Sequence, residues 1–287
     1  MNTDQKNTCP VPNGVLLVIG GHENKDGKAE KEVQEGGHPR EVLETFIRLT
    51  GKEAPVIEVI TTASSEGQAS FEDYKKVFDE LGVKQIGHIH HGKRSEALRQ
   101  DLLERISQAD AVFFSGGDQL KLTSIYGGTQ FLLRLKQRYI YDGLVLAGTS
   151  AGAMAFSTPM IYAGSKAAQQ IAGEVRITTG LEFLKDVCID THFVDRGRFV
   201  RMAQVIATNP TSIGLGVEED TALVVRNGIE TEVIGSGIVI VIEGFRITDS
   251  NILNFGEDDK IAIDDLNVKL LAKGSRYTIP QHNPPHL

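Results

Sequence analysis

The chain contains no tryptophan, only two cysteines in 287 residues, and 6% aromatic side chains. Two thiols as far apart as Cys9 and Cys188 are no disulfide framework, which points to a reducing compartment and an expected cytoplasmic location. A chain of 287 residues buries enough apolar surface to fold without such staples. No stretch reaches the roughly 18 consecutive apolar residues of a membrane helix. The opening MNTDQKNTCPVPNG has no basic segment followed by an apolar run, so no secretory signal is read and no membrane partner is expected. Positive charge is short as well: 30 Lys and Arg against 38 Asp and Glu leave a net charge of -8. A phosphate backbone would be repelled, which argues against nucleic acid as a partner.

What is present is alternation. Short apolar runs at residues 15–19, 56–61, 83–89, 111–114 and 144–147 predict buried strands. Between them, apolar residues spaced by three and four predict helices over 39–49, 71–81, 98–106 and 120–135, the last interrupted at Gly127-Gly128. Strand and helix in turn imply a parallel sheet with helices on both faces, an α/β three-layer sandwich. After about residue 215 the texture changes to hairpins around Asn227-Gly228, an antiparallel extension of the sheet. Residues 1–13 and 278–287 read as polar tails around a single domain at 14–277.

Gly148-Thr149-Ser150-Ala151-Gly152 fits G-x-S-x-G at a strand end, where small neighbours are needed because backbone and helix crowd the serine. The helix that follows is expected to aim its amides at the serine oxygen. The alternative is a serine that merely caps that helix. The candidate base is His192, at the end of the apolar run 187–193 and two residues from Asp190, on the same strand face. Arg196, Arg198 and Arg201 follow at once, a local trap for carboxylates in an acidic protein. His88, His90 and His91 cluster without neighbouring acids and read as a surface loop rather than a metal site. His22 follows the first strand, where it would border the site.

In this order, Gly20-Gly21, Gly116-Gly117-Asp118-Gln119, the elbow with Ala153, 189–193, Arg196-Gly197-Arg198 with Arg201, and 214–222 resemble the cyanophycinases. These belong to a serine peptidase family that also holds the aspartyl dipeptidases. The elbow alone is common; the ordered set, spanning about residues 14–245, is specific. The resemblance implies a flavodoxin-like fold, a homodimer, and no metal or organic cofactor. It implies an exopeptidase that cuts cyanophycin, a polyaspartate with arginine on each β-carboxyl, into β-Asp-Arg dipeptides. By position, Ser150 is nucleophile, His192 base and Glu219 the third triad member. Gln119, Asp190, Arg196, Arg198 and Arg201 line the substrate pocket. Thr191 stands there too, where the family usually has glutamine. The stretch 164–170 carries no acid, a departure from the family; Glu219 is taken as the orienting carboxylate because it lies in the matching segment 214–222, with Glu218 and Glu174 as alternatives. An oxyanion hole is expected from the N–H of Ala151 and one from Gly116 or Gly117, and Asp190 is a candidate to hold a substrate arginine. A dipeptidase or esterase of the same fold, an inactive binding protein and an amidotransferase-like domain are the competing functions.

Overall fold

The computed structural model describes residues 10–27, 40–164, 170–254 and 259–281. The sequence readings at residues 1–9, 165–169 and 282–287, and at His38 and Pro39, lie outside the described residues, as does Cys9. Cys188 is buried and carries a free thiol.

The first half follows the expected alternation: β1 Val15–Ile19, α1 Glu41–Leu49, β2 Val56–Ile60, α2 Gly67–Glu80, β3 Gln85–Ile89, α3 Gln100–Gln108, β4 Ala111–Phe114, α4 Gln119–Tyr126, α5 Gln130–Tyr141 and β5 Val145–Thr149. A one-turn helix, α6 Ala151–Met154, leads into β6 Ser157–Thr158, β7 Met160–Ala163, β8 Arg176–Thr178, β9 Leu184–Lys185 and β10 Val187–Thr191. Next come α7 Phe199–Thr208, β11 Ile213–Val217, β12 Thr221–Arg226, β13 Glu230–Gly235 and β14 Val239–Glu243. The chain closes with β15 Asp249–Ser250, β16 Ile263–Asp264, β17 Asn267–Leu271 and β18 Arg276–Thr278. Among the described residues no helix is long and apolar enough to cross a membrane.

Eight strands form the main sheet in the order β18-β13-β12-β1-β5-β4-β2-β3. The five strands from β1 to β3 are parallel, and β12, β13 and β18 add an antiparallel edge. The parallel order is the flavodoxin-like arrangement with β1 in the place of the last strand. Central strands are buried on both faces, so they are continuous apolar runs without alternation. Helices α1 and α2 pack on one face through Val42, Phe46, Tyr74 and Phe78. Helices α3 to α5 cover the other through Leu102, Ile106, Tyr126 and Leu135.

The expected antiparallel extension is present as β12, β13 and β18, and residues 278–281, read as tail, end β18 and bury Ile279 in the core. The second half does not only extend the first sheet. A separate six-stranded sheet runs β17-β14-β11-β10-β6-β9. Its Ile189, Leu215, Val239 and Val241 share the core that holds Leu16, Val18 and Leu146 of the first sheet. Its opposite face is covered by α7 through Met202, Val205 and Ile206. The Asn227-Gly228 hairpin forms as expected, with φ of 54° and 75° at the two turn residues, and joins β12 to β13. Beyond Gly235 the chain crosses to the second sheet, so β14 pairs with β11 rather than β13.

Candidate active site

The serine sits where the sheet end and the core leave little room. β5 is buried along its whole length and stops at Ser150, whose backbone turns to φ 51°, ψ -119°. A methyl on Gly148 would lie 2.6 Å from the Gly152 carbonyl carbon, and one on Gly152 would lie 2.4 Å from the Phe114 carbonyl oxygen. Both glycines are therefore required by packing. The left-handed serine stores about 1–3 kcal/mol of strain, held partly by the bond from Ser150 N to the Ile19 carbonyl at 3.1 Å. The following helix is shorter than the sequence suggests: α6 has four residues, so its first amides, which lack helical acceptors, replace an extended dipole. Ser150 makes no capping bond to that helix. Its Oγ instead lies 3.0 Å from His192 Nε2.

His192 and Glu219 come from the second sheet. β10 ends at Thr191, and His192 turns to φ 48° with its N–H on the Gly20 carbonyl. Its Nδ1 is hydrogen-bonded to Glu219 Oε1 at 2.5 Å. The ring is 3% exposed and lies over Gly21, where a methyl would sit 2.3 Å from the imidazole. Glu219 follows β11, as the apolar run predicts. Its neighbour Glu218 turns the other way and accepts from Ile238 N at 2.5 Å. Glu174 is exposed in a turn after Ile171. Burial holds the His192 imidazole below the usual histidine range; Arg196 and His22 add to this and the Glu219 hydrogen bond opposes it. Burial pushes the Glu219 carboxyl up, but the His192 bond and the nearby His22 outweigh it and keep it below the usual carboxylate range.

Two residues behind these three carry more weight than the sequence suggests. His22 Nδ1 is 3.0 Å from the second Glu219 oxygen, and its ring meets His192 edge-on with centroids 5.0 Å apart. Ligand atoms of His22, His192 and Glu219 all lie within 4.8 Å of one another, close enough to share a metal ion. Glu23 is 4% exposed; it accepts from Thr149 Oγ1 at 2.6 Å and from the Tyr74 hydroxyl. It thereby grips the residue just before the serine. Nothing local marks Glu23, whose partners are 51 and 126 positions away.

The residues expected to line the substrate pocket are largely bonded to one another. Asp190 is fully buried and accepts from both Arg201 Nε and Nη2 at 2.5 Å. Arg198 Nη1 adds bonds of 2.8 Å to Asp190 and 2.7 Å to the Thr191 carbonyl. A buried carboxylate is costly unless paired, and here two guanidiniums pair it. Asp190, Arg198 and Arg201 are thus bound to one another and brace β10 against α7. Thr191 is fully buried as well and presents no surface. Arg196 alone of the three arginines is exposed. Gln119 is half-buried and donates to the Ile161 carbonyl at 2.8 Å.

Of the glycine pair, Gly116 abuts the serine: a methyl there would be 3.3 Å from Ser150 Cβ and 3.7 Å from Oγ. Gly117 packs on the Ala63 carbonyl, which a methyl would approach to 2.1 Å. The other histidine cluster belongs to the end of β3. His88 stacks on Phe71 and bonds Thr61 at 2.7 Å, and His91 is buried with Nδ1 3.0 Å from the Tyr126 hydroxyl.

Residues 29–233 match the family model described as Peptidase family S51. A cyanophycinase of Geminocystis herdmanii is 30% identical over 269 residues, 94% of this chain and 95% of that one. A cyanophycinase of Synechococcus elongatus is 30% identical over 273 residues, 95% of this chain and 81% of that one. The crystal structure of a peptidase from an acI-B1 actinobacterium superposes with a TM-score of 0.65 at 22% identity, covering 94% of this chain and 98% of that one. At that identity the likeness is one of fold.

Proposed function

The chain belongs to peptidase family S51 and is a serine peptidase, and from that premise we propose that it hydrolyses cyanophycin or another aspartate-rich peptide through an acyl-enzyme on Ser150. The observation that carries this reading is the hydrogen-bond chain from Ser150 Oγ through both His192 nitrogens to Glu219. A serine hydroxyl is a weak nucleophile until a base takes its proton. His192, neutral at Nε2, receives that proton as Oγ attacks the peptide carbonyl. Glu219 holds the proton on Nδ1 and offsets the imidazolium that forms. The N–H groups of Ala151 and Gly116 stabilise the oxyanion. The tetrahedral adduct collapses as His192 gives its proton to the leaving amine, and a water deprotonated by His192 then releases the acid. Arg196 is the residue proposed to hold a substrate carboxylate beside the base, with Gln119 further along the cleft.

The names of the curated relatives support the substrate class. The test is incubation with purified cyanophycin and mass spectrometry of the products, beside Asp-X dipeptides and simple esters. Release of β-Asp-Arg in a reaction that Ser150→Ala abolishes, by on the order of 10⁴-fold or more, is the expected result. Hydrolysis of Asp-X dipeptides or esters alone would move the substrate. Undiminished turnover by Ser150→Ala would remove the nucleophile.

A further inference from the structure

We propose that His22, His192 and Glu219 form an inhibitory Zn²⁺ site that switches the peptidase off by capturing the inner nitrogen of its own base. The proposal rests on the triad reading above. The donor set, two imidazoles and a carboxylate, is one that zinc takes with a fourth position open to water. Zinc bonds of about 2.0–2.2 Å to nitrogen and oxygen call for ligand atoms somewhat over 3 Å apart. Here His22 Nδ1 is 3.0 Å from Glu219 Oε2, and all three ligand atoms lie within 4.8 Å. Glu219 must swing away from His192 Nδ1, now 2.5 Å from Oε1, to admit the ion.

The cluster is also built and open. The His22 loop is tied to the Glu219 turn by Asp220 N on the Gly21 carbonyl at 2.9 Å and Asn24 N on Asp220 Oδ1 at 2.9 Å. The two ligand-bearing turns therefore move together. The His22 side chain is 70% exposed and that of Glu219 29% exposed, so an ion meets these two ligands from solvent and reaches the buried His192 Nδ1 by taking the place of its bond to Glu219. His22 neither gives nor takes the transferred proton in the mechanism; it lies over the carboxylate, 3.0 Å from Glu219 Oε2.

The consequence for His192 follows from its tautomer. Catalysis needs a proton on Nδ1 and a lone pair on Nε2 facing Ser150. A metal on Nδ1 displaces the proton there to solvent and binds the Nδ1 lone pair so exposed, while Nε2 takes a proton from solvent on its own lone pair, so the ring itself stays neutral. Nε2 then donates to Ser150 Oγ and has no capacity to accept its proton. Glu219 is withdrawn from the histidine in the same event.

The experiment uses the full chain stripped with EDTA. Zn²⁺ affinity is measured by competition with a chromophoric chelator, and Ser150 is probed by its rate of fluorophosphonate labelling. We expect one Zn²⁺ per chain at this site, labelling slowed at least tenfold when it is filled, and recovery on adding EDTA. His22→Asn, chosen because asparagine tolerates the left-handed φ of 47°, should weaken Zn²⁺ binding and inhibition at least tenfold. Ser150→Ala should bind zinc as the parent does. Equal affinity and inhibition in His22→Asn, or labelling that is unmoved at saturating Zn²⁺, would overturn the proposal. Failure of the metal-free parent to label counts against the triad reading, and the chelator competition still decides the metal site.

Discussion

As the proposed base, His192 must be neutral to accept a proton and must tolerate charge once it has one. Burial, Arg196 and the facing His22 all disfavour the imidazolium, and Glu219 alone opposes them. The net lowering keeps the base competent at a pH where an ordinary histidine, with a pKa near about 6.5, is half protonated. Activity is lost only as pH falls through the lowered value. The acid limb of kcat/KM should therefore have its midpoint below that figure, and a midpoint above about 7 would contradict the assignment. The two adjacent glutamates separate the roles of shape and charge. Glu219→Gln keeps the shape and should cost on the order of 10³–10⁴-fold in kcat, as expected when the histidine loses its orienting carboxylate. Glu218 only accepts an N–H from Ile238, which an amide oxygen also accepts, so Glu218→Gln should stay within a few-fold of the parent. Glu23 acts one step further out, through Thr149. Glu23→Gln leaves one acceptor where two hydroxyls donate, so the elbow shifts. A drop of roughly 10–100-fold in kcat with KM little changed is expected from a small misplacement of the nucleophile.

At the scale of elements, the site is a set of strand ends with strained exits. Ser150, His192, His22 and Asp220 all hold positive φ between 46° and 51°, and each follows or precedes a strand that arrives at one edge of the cleft. The elbow was legible in the sequence because its steric demand falls on contiguous residues: Gly148 and Gly152 each face backbone that a methyl would strike. The same holds for His192 at the end of an apolar run. Glu219 could be placed at a strand end but not chosen over Glu218 without the family resemblance, since an extended strand offers both faces. His22 and Glu23 were illegible as partners because their bonds cross 197 and 126 positions, and periodicity carries no such pairing. The second sheet was missed for the same reason: an apolar run announces a strand, not its neighbour. The arginine cluster was read as a ligand trap because charge near a catalytic histidine suggests one. The fold sets both Arg198 and Arg201 on the buried Asp190. Arg201→Ala should then act first on stability. Removing it leaves Asp190 with Arg198 alone, so the cost falls at or below the about 3–5 kcal/mol of a broken buried pair, and Tm should drop by several degrees, on the order of 5–10 °C, in a chain of this size. A variant with unchanged Tm and a raised KM for acidic substrates would return Arg201 to the substrate pocket.

Across the whole molecule, the serine is supplied by one sheet and the histidine and glutamate by the other. Ser150 leaves β5 of the first sheet, and His192 and Glu219 leave β10 and β11 of the second. The seam between the sheets is crossed by the backbone bond from His192 N to the Gly20 carbonyl at 2.9 Å, while Gly20 N to the Thr221 carbonyl and Asp220 N to the Gly21 carbonyl, both at 2.9 Å, carry the β1–β12 pairing of the first sheet on to the site. It is also filled by a core common to both sheets, with Leu16 and Leu223 of the first beside Leu215 and Val241 of the second. Neither sheet can cover its inner face alone, because that face is the other sheet. Exposing it would return several fully buried aliphatic side chains to water, at about 1.5–3 kcal/mol each. That penalty exceeds what a half-molecule of this size retains as net stability. The described residues should accordingly unfold as one unit. In guanidinium chloride, the midpoint for loss of Ser150 labelling should coincide with that for loss of far-UV circular dichroism. Labelling tests the seam, because it needs groups from both sheets within 3.0 Å, while circular dichroism reports each sheet wherever it lies. Loss of labelling well before loss of secondary structure would mean that the sheets part while each stays folded, and the single-domain reading of the chain would fail.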